Sequence, residues 1–290
     1  MTLRQFGNSM RSILGNPHIH RGRGIARHLQ WQVRKALNLF PVELAISRSR
    51  IVAAHKRCGV SALINSQGLY DYDNMRLLQR LLRDGGVFFD IGANIGSYSL
   101  VASEQTAALV YAFEPHPVTF RMLQENIGLN RRKNVRLFNL ALGGSDDEVF
   151  LTDEGGSAMN HLTAARAAGT IPVPCMRGDT FCAEQEVVPT CVKIDVEGFE
   201  YDVLSGFGPR LRSADFLLIE LNGLSDERSR GAAAIQGLLT DHGFRGPWRC
   251  DFDARILSPD RHVNTKDSLY VSDASAPALE AMGFRFKDLR

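Results

Sequence analysis

Val87-Phe88-Phe89-Asp90-Ile91-Gly92-Ala93-Asn94-Ile95-Gly96 is the stretch that decides how this chain folds. Four strand-forming residues, Val87, Phe88, Phe89 and Ile91, are interrupted by a single acid and run into a glycine turn. Ser97-Tyr98-Ser99-Leu100-Val101-Ala102 then reads as a helix. A buried strand that turns through glycine into a helix is how α/β sheets seat a ligand. The turn lets backbone approach the ligand, and the helix start offers unpaired N–H groups and a positive dipole end. Asp90, at the carboxyl end of the strand, is expected to face that crevice. Leu109-Val110-Tyr111-Ala112-Phe113 is a second apolar run and ends in Glu114, 24 positions after Asp90. An acid at that strand tip is placed to accept hydrogen bonds from ribose hydroxyls.

The spacing argues against a dinucleotide. A nicotinamide site needs G-x-G-x-x-G so that pyrophosphate can lie against backbone. Here three residues separate Gly92 from Gly96, and Asn94 stands where the second glycine would be. A phosphate-free cofactor, whose amino-acid end bonds to Asp90 and the loop, fits better. Three motifs, Asp-Ile-Gly-Ala-Asn-Ile-Gly at 90–96, Ala-Phe-Glu-Pro at 112–115 and Val-Lys-Ile-Asp-Val-Glu-Gly-Phe-Glu at 192–200, together resemble the FkbM family of S-adenosylmethionine-dependent methyltransferases. The resemblance covers roughly residues 65–272; its first motif fits many methyltransferases, and its last is much more specific. It implies a Rossmann-like class I methyltransferase fold: an α/β domain with a mostly parallel seven-stranded sheet and an antiparallel end strand. It also implies S-adenosylmethionine as cofactor, and O-methylation of a hydroxyl on a sugar, polyketide or other small molecule. Asp90, Gly92, Ala93, Asn94, Gly96 and Glu114 would hold the cofactor, with Asn139 and Ala141 near the adenine by position.

Composition sets the frame. With 290 residues, 44% hydrophobic and 23% charged, the chain can bury one large core with an extension. Its net charge of +2 hides an asymmetry: residues 1–57 hold eleven Lys/Arg and one acid, a balance of +10, so the remainder carries −8. No run is long enough to span a bilayer, and the N-terminus has no continuous apolar stretch of secretory type. Five cysteines, Cys58, Cys175, Cys182, Cys191 and Cys250, form no C-x-x-C pair and are odd in number. That argues against disulfides or zinc and for a reducing cytoplasm. Cys191 opens an apolar strand and reads as a core residue.

Three parts follow: a basic extension over 1–57, a catalytic domain over 58–275 and a tail over 276–290. Residues 1–23, rich in Gly, Asn, Arg and His, are expected to be poorly ordered. Ile25, Leu29, Val33, Leu37 and Phe40 then recur at helical spacing, with Arg27, Arg34 and Lys35 off the stripe. Such a helix docks on a membrane surface or a partner, or covers one edge of the domain; the sequence favours the edge. Residues 58–70 read as a short strand pair, with Tyr70 and Tyr72 near the cofactor pocket. A helix over 75–82 leads to the central strand. Further strands are expected at 135–142, 191–195 and 216–222, helices at 118–129, 200–204 and 232–242, and a closing hairpin over 244–272. Residues 145–190 break the rhythm with short strands at 148–151 and 171–173, and insertions of this kind carry substrate-specific elements. His161, in that insertion, is a candidate base or acceptor contact.

The acids at the ends of the fourth and fifth strands, Asp195, Glu197 and Glu220, are the pool from which a base would come, with Asp195 or Glu197 first. Lys193 and Asp195 project to one face and Ile194 and Val196 to the other, and a buried strand carries such charges only when they are paired or at the sheet's mouth. Lys193 would tune a neighbouring acid or orient the acceptor; a salt-bridge network is the plainer alternative. No metal-ligand set is legible. An amino-group methyltransferase would show an N-P-P-Y-type tetrad where this chain has Asp195-Val196-Glu197-Gly198. That argues against nucleic acid, and the family resemblance implies a small-molecule or glycan acceptor. The basic arm keeps RNA as an alternative acceptor, and a membrane-associated protein with a vestigial cofactor fold as another reading.

Overall fold

The computed structural model describes residues 3–56, 58–152, 162–163, 168–221, 230–260 and 267–287. Helices α1 (Leu3–Gly15) and α2 (Arg21–Ala36) precede a hairpin of β1 (Val42–Ile46) and β2 (Ser49–Ala53), then α3 (Gly59–Gln67). The alternating unit follows as α4 (Tyr72–Leu81), β3 (Gly86–Ile91), α5 (Ser97–Ser103), β4 (Ala108–Phe113), α6 (Pro117–Leu129) and β5 (Val135–Phe138). It is interrupted by β6 (Ala141–Gly143), β7 (Asp147–Thr152), β8 (Leu162–Thr163) and β9 (Thr170–Arg177). It resumes with α7 (Gly178–Glu184), β10 (Cys191–Ile194), α8 (Glu200–Gly206), a 3-10 turn at Gly208–Ser213 and β11 (Phe216–Glu220). Helix α9 (Gly231–Asp241), strands β12 (Phe244–Asp251), β13 (Ile256–Pro259) and β14 (Asp267–Ser272), helix α10 (Ala276–Ala281) and β15 (Arg285–Phe286) complete the described chain.

The main sheet runs β15-β13-β12-β14-β11-β10-β3-β4-β5, and β6-β9-β7-β8 form a separate four-stranded sheet. From β5 to β11 every pairing is parallel, β14 is antiparallel to β11, and β12 is antiparallel to β14. The seven strands from β5 to β12 are therefore the expected class I methyltransferase sheet, with β14 alone reversed. It lies one place in from the end, and β13 and β15 widen the sheet to nine strands.

Side-chain alternation explains why both faces are covered. Phe88, Val110, Leu218, Leu269 and Val271 face a core shared with α4, α5 and α6, while Phe89, Tyr111, Leu217, Ile219 and Tyr270 face α7, α8 and α9. An aromatic nest on the second face packs Phe113 and Phe138 edge-on to Phe181, at 4.8 and 4.9 Å between centroids. Such contacts add about 0.5–1.5 kcal/mol each beyond burial.

Four expectations need correction. Residues 3–15 are helical: α1 lies against α2, where a Cβ on Gly24 would come within 2.8 Å of Ile13 Cγ2. The strand pair is at 42–53 and not at 58–70, which holds α3 instead. The hairpin's period-2 burial through Leu44, Ile46, Ile51 and Ala53 was legible in its alternation. The expected strand 135–142 is two strands in two different sheets, β5 and β6. The stripe of α2 does not cover the domain: that helix buries Gly24, His28 and Trp31, and Leu29, Val33 and Leu37 face outward.

One buried acid ties the N-terminal hairpin to the sheet domain. Glu104, 6% exposed at the end of α5, accepts from Ser47 Oγ (2.7 Å), the Arg48 N–H (2.8 Å), Ser49 Oγ (2.8 Å) and Gln79 Nε2 (2.8 Å). Truncating it strands the buried donors of Ser49 and Gln79. Glu104→Ala should lower unfolding free energy by about 3 kcal/mol in urea titration, and a loss under about 1 kcal/mol would show that the hairpin is held by packing alone.

Candidate active site

The glycine turn after β3 has the geometry that its residue types allow. Gly92 sits at φ 80°, and a Cβ there would lie 1.9 Å from the Asp195 carbonyl oxygen. The tips of β3 and β10 thus approach as closely as two backbones can. Asn94 adopts the left-handed region at φ 52° and its Oδ1 accepts from the Ile95 N–H at 2.8 Å. Asparagine is among the few side chains that enter this region at little cost, which is how it stands where a dinucleotide site would have glycine. Gly96 caps α5 at φ 91°, where a Cβ would meet Leu123 Cδ1 at 2.5 Å.

Glu114 closes the other side of the turn. One carboxyl oxygen accepts from the Asn94 N–H (2.9 Å) and the other from the His116 N–H (2.9 Å). Burial raises its pKa to about 7, against the pull of those two amides. A carboxylate has about four acceptor positions, so two remain for a ligand.

Beyond the turn lies a group of acids around one buried ammonium. Lys193 is 3% exposed; its Nζ lies 2.7 Å from Asp195 Oδ2 and 4.9 Å from the centroid of the Tyr98 ring. Burial works against its charge, but Asp195, Asp267 and Asp90 outweigh it and hold the ammonium well above its ordinary value. Asp195 is likewise opposed by burial, yet Lys193 and a hydrogen bond from Glu220 keep it below the usual carboxylate range. Glu220 is pushed the other way, from 4.5 to about 9, by burial and by the Asp195 charge. Asp267 rises to about 8, chiefly by burial. Near neutral pH the group therefore holds one ammonium, one carboxylate at Asp195 and neutral carboxyls at Glu220 and Asp267.

Topology assembles this group. Strands β4, β3, β10 and β11 are parallel neighbours, so Glu114, Gly92, Asp195 and Glu220 all follow or end their strands at one edge. Reversed β14 starts where its neighbours finish, so Asp267 pairs in register with Glu220. The Tyr98 hydroxyl is shared between Asp71 and Asp267 Oδ2, the latter at 3.2 Å. Asp267 Oδ1 is buried with no hydrogen-bond partner among the described residues.

A cavity of about 1160 Å³ connects these parts. One end is walled by Gly92, Asn94, Glu114, His116 and Thr119, and Lys193, Asp195, Glu197 and Glu220 also line it. Helix α1 and its exit loop contribute Arg11, Ser12, Asn16 and His18 to the lining, together with Tyr72, Asp73, Arg249 and Asp253 from the domain. His18 stacks on Tyr72 (centroids 3.8 Å apart, planes 12° apart), and its ring nitrogens lie 3.8 Å from Asp73 and 3.4 Å from Asp253.

The expected site residues divide clearly. Gly92, Asn94, Glu114, Lys193, Asp195 and Glu197 line the cavity, Glu197 from a left-handed backbone at φ 53°. Asp90 does not: it is 1% exposed and accepts from Ser99 Oγ at 2.6 Å beneath the turn. Ala93 and Gly96 shape the turn without lining the cavity. Asn139 is exposed and donates to the carbonyls of Glu114 (2.8 Å) and Pro115 (2.9 Å), so it braces the loop. Ala141 is buried in the second sheet, opposite Cys175. Strand β5 ends at Phe138, and neither residue is in the cavity lining. His161 lies outside the described residues. Sequence reading missed Asp71, Asp267, Arg11 and His18, which no local motif marks.

The turn end of the cavity suits a phosphate-free nucleoside: Glu114 keeps spare acceptor positions there, and Lys193, the buried cation beyond it, is already matched by Asp195.

Comparison with known proteins agrees. The family described as "Methyltransferase FkbM domain" matches residues 90–245. The hexuronic acid methyltransferase AglP of Haloferax volcanii is 32% identical over 160 residues, 54% of this chain and 65% of that one. The 31-O-demethyl-FK506 methyltransferase FkbM of Streptomyces tacrolimicus is 40% identical over 76 residues, 26% of this chain and 25% of that one. The chain thus spans less than two thirds of the length of both. Among solved structures, a SAM-dependent methyltransferase from Agrobacterium tumefaciens overlays with a TM-score of 0.43 at 11% identity, covering 70% of this chain and 57% of that one. TYW2 of M. jannaschii in complex with AdoMet gives 0.34 at 15% identity, covering 71% and 74%.

The raised carboxyls have a sign that can be checked. Glu220 is protonated in the folded protein up to about pH 9 but ionises near 4.5 when unfolded. The folded state then binds the extra proton, and the stability it brings is full below pH 4.5 and is lost as pH rises towards 9. Melting temperature should decline across that window, and Glu220→Gln, which mimics the neutral acid, should flatten the decline. Parallel curves for the two proteins would refute the assignment.

Proposed function

The chain belongs to the FkbM methyltransferase family, whose cofactor is S-adenosylmethionine, and we propose that it methylates a hydroxyl group of a sugar. The observation that carries this reading is Asp195: an ionised carboxylate on the wall of the cavity, beside neutral acids. The cavity also runs on to a stacked imidazole–phenol pair flanked by acids. Sugars are bound by such surfaces, since their hydroxyls donate to carboxylates and their C–H faces lie on rings. The relative named for hexuronic acid supports the same substrate class, and the polar character of the α1 side of the cavity supports a sugar over a polyketide.

When bound, the cofactor supplies a methyl group already activated on a sulfonium. Glu114 would take ribose hydroxyls on its two spare acceptor positions, beside the turn at Gly92 and Asn94 that lines the same end of the cavity. What remains for the protein is to align the acceptor, exclude water and remove a proton. Asp195 accepts the hydrogen bond of the acceptor hydroxyl and takes its proton, because it alone of the coupled acids is ionised at neutral pH. Lys193 cannot serve as a base, since its ammonium is held protonated. It fixes the Asp195 carboxylate at 2.7 Å and keeps it charged. Glu220 donates to the same carboxylate and limits its rotation.

Three measurements test this. Radiolabelled methyl transfer to hexuronic-acid and neutral glycosides should give an alkali-stable ether, and an alkali-labile ester or labelled RNA would overturn the reading. Asp195→Asn should cut kcat by about 10²–10⁴-fold with the S-adenosylmethionine dissociation constant unchanged. Glu114→Gln should do the converse, weakening the cofactor about tenfold or more with saturated kcat retained; unaltered affinity would remove Glu114 from the site.

A further inference from the structure

Helix α2 turns its apolar residues to solvent. It buries Gly24, His28 and Trp31 against the domain. At 3.6 residues per turn, Leu29, Val33 and Leu37 fall on the opposite side. They are 49%, 54% and 64% exposed, and Leu39, just past the helix, is 55% exposed. Leu14 on α1 and Leu63 on α3, the helices to either side of α2 in the chain, are also exposed. An apolar stripe left in water is unfavourable unless something covers it.

The charges beside the stripe say what that is. Arg21, Arg23, Arg27, Arg34 and Lys35 all lie on α2, and the sequence has no acid before Glu43. Among the described residues none of these five cations is in an ion pair. The helix thus pairs an exposed apolar face with unmatched positive charge, the combination that lies in the headgroup region of an anionic bilayer, with arginine stems snorkelling to phosphates. No described helix is long and apolar enough to cross a membrane, so α2 would rest on the surface.

We propose that α2 docks this protein on an anionic lipid bilayer, with Leu29, Val33, Leu37 and Leu39 entering the acyl boundary and Arg23, Arg27 and Arg34, which flank that stripe, contacting lipid phosphates. The surface belongs to the N-terminal extension and is separate from the catalytic machinery. Helix α1, whose residues Arg11, Ser12 and Gly15 line the cavity, packs against α2 through Ile13 and Gly24. Docking therefore holds the α1 wall of the cavity one helix away from the bilayer.

Flotation of the full chain with vesicles tests this. Phosphatidylglycerol–phosphatidylcholine vesicles should carry the protein, pure phosphatidylcholine should not, and added salt should release it. A Leu29→Ser/Val33→Ser/Leu37→Ser protein should partition about tenfold less or worse. An Arg23→Glu/Arg27→Glu/Arg34→Glu protein should lose binding altogether. Unaltered S-adenosylmethionine affinity in both serves as the folding control. Three results would overturn the proposal: equal retention on neutral vesicles, full retention of the triple serine protein, or no vesicle binding together with a concentration-dependent dimer that the serine substitutions dissolve. The last would make the face a contact between two copies of the chain.

Discussion

A single buried ammonium is the constraint on which the site depends. Lys193 projects from the middle of the main sheet and is only 3% exposed, and a lone cation so buried is costly. Asp195 supplies its counter-charge at 2.7 Å. Once that pair forms, the remaining carboxyls cannot all ionise so close together, and the excess is resolved by keeping protons on Glu220 and Asp267. The division of labour between one charged and two neutral acids therefore follows from one buried cation and several crowded carboxyls sharing one end of the sheet. Tyr98 belongs to the same arrangement, with its ring under the ammonium and its hydroxyl on the surplus acids.

The second constraint is steric. Because β10 pairs directly with β3, their tips meet, and Gly92 leaves no room for a side chain beside the Asp195 carbonyl. The glycine turn and Asp195 are thus fixed to each other by backbone contact. This explains why a chain with asparagine at the second glycine position still makes an open turn: the close approach is at Gly92, while position 94 needs only a residue that tolerates a positive φ.

The N-terminal segment packs as part of the same architecture as the sheet. Glu104 binds the β1–β2 hairpin to α5, and α1 walls one side of the cavity. The extension therefore both walls one side of the cavity and presents the outer face of α2.

Local chemistry in the sequence determined the strand–turn–helix units. Apolar runs ended by Asp90, Glu114, Asp195 and Glu220 announce buried strands with acids at one edge, and Gly92 and Gly96 announce a tight turn, because those properties are set by neighbouring residues. The pairing of Lys193 with Asp195 was legible for the same reason, being two residues apart on one face of a strand. Only the tertiary structure decided which acids share that ammonium. Asp267 arrives because β14 runs backwards into the sheet, Asp71 because the chain leading into α4 crosses the pocket, and His18 because α1 folds over it. Asp90 and Asn139 lie off the cavity lining, since position on a strand does not say whether a side chain meets a cavity or a neighbouring polar group. Likewise the periodicity of α2 marked an apolar face correctly, but which side of a helix meets the protein is settled by what packs against it, and here Gly24, His28 and Trp31 took that side.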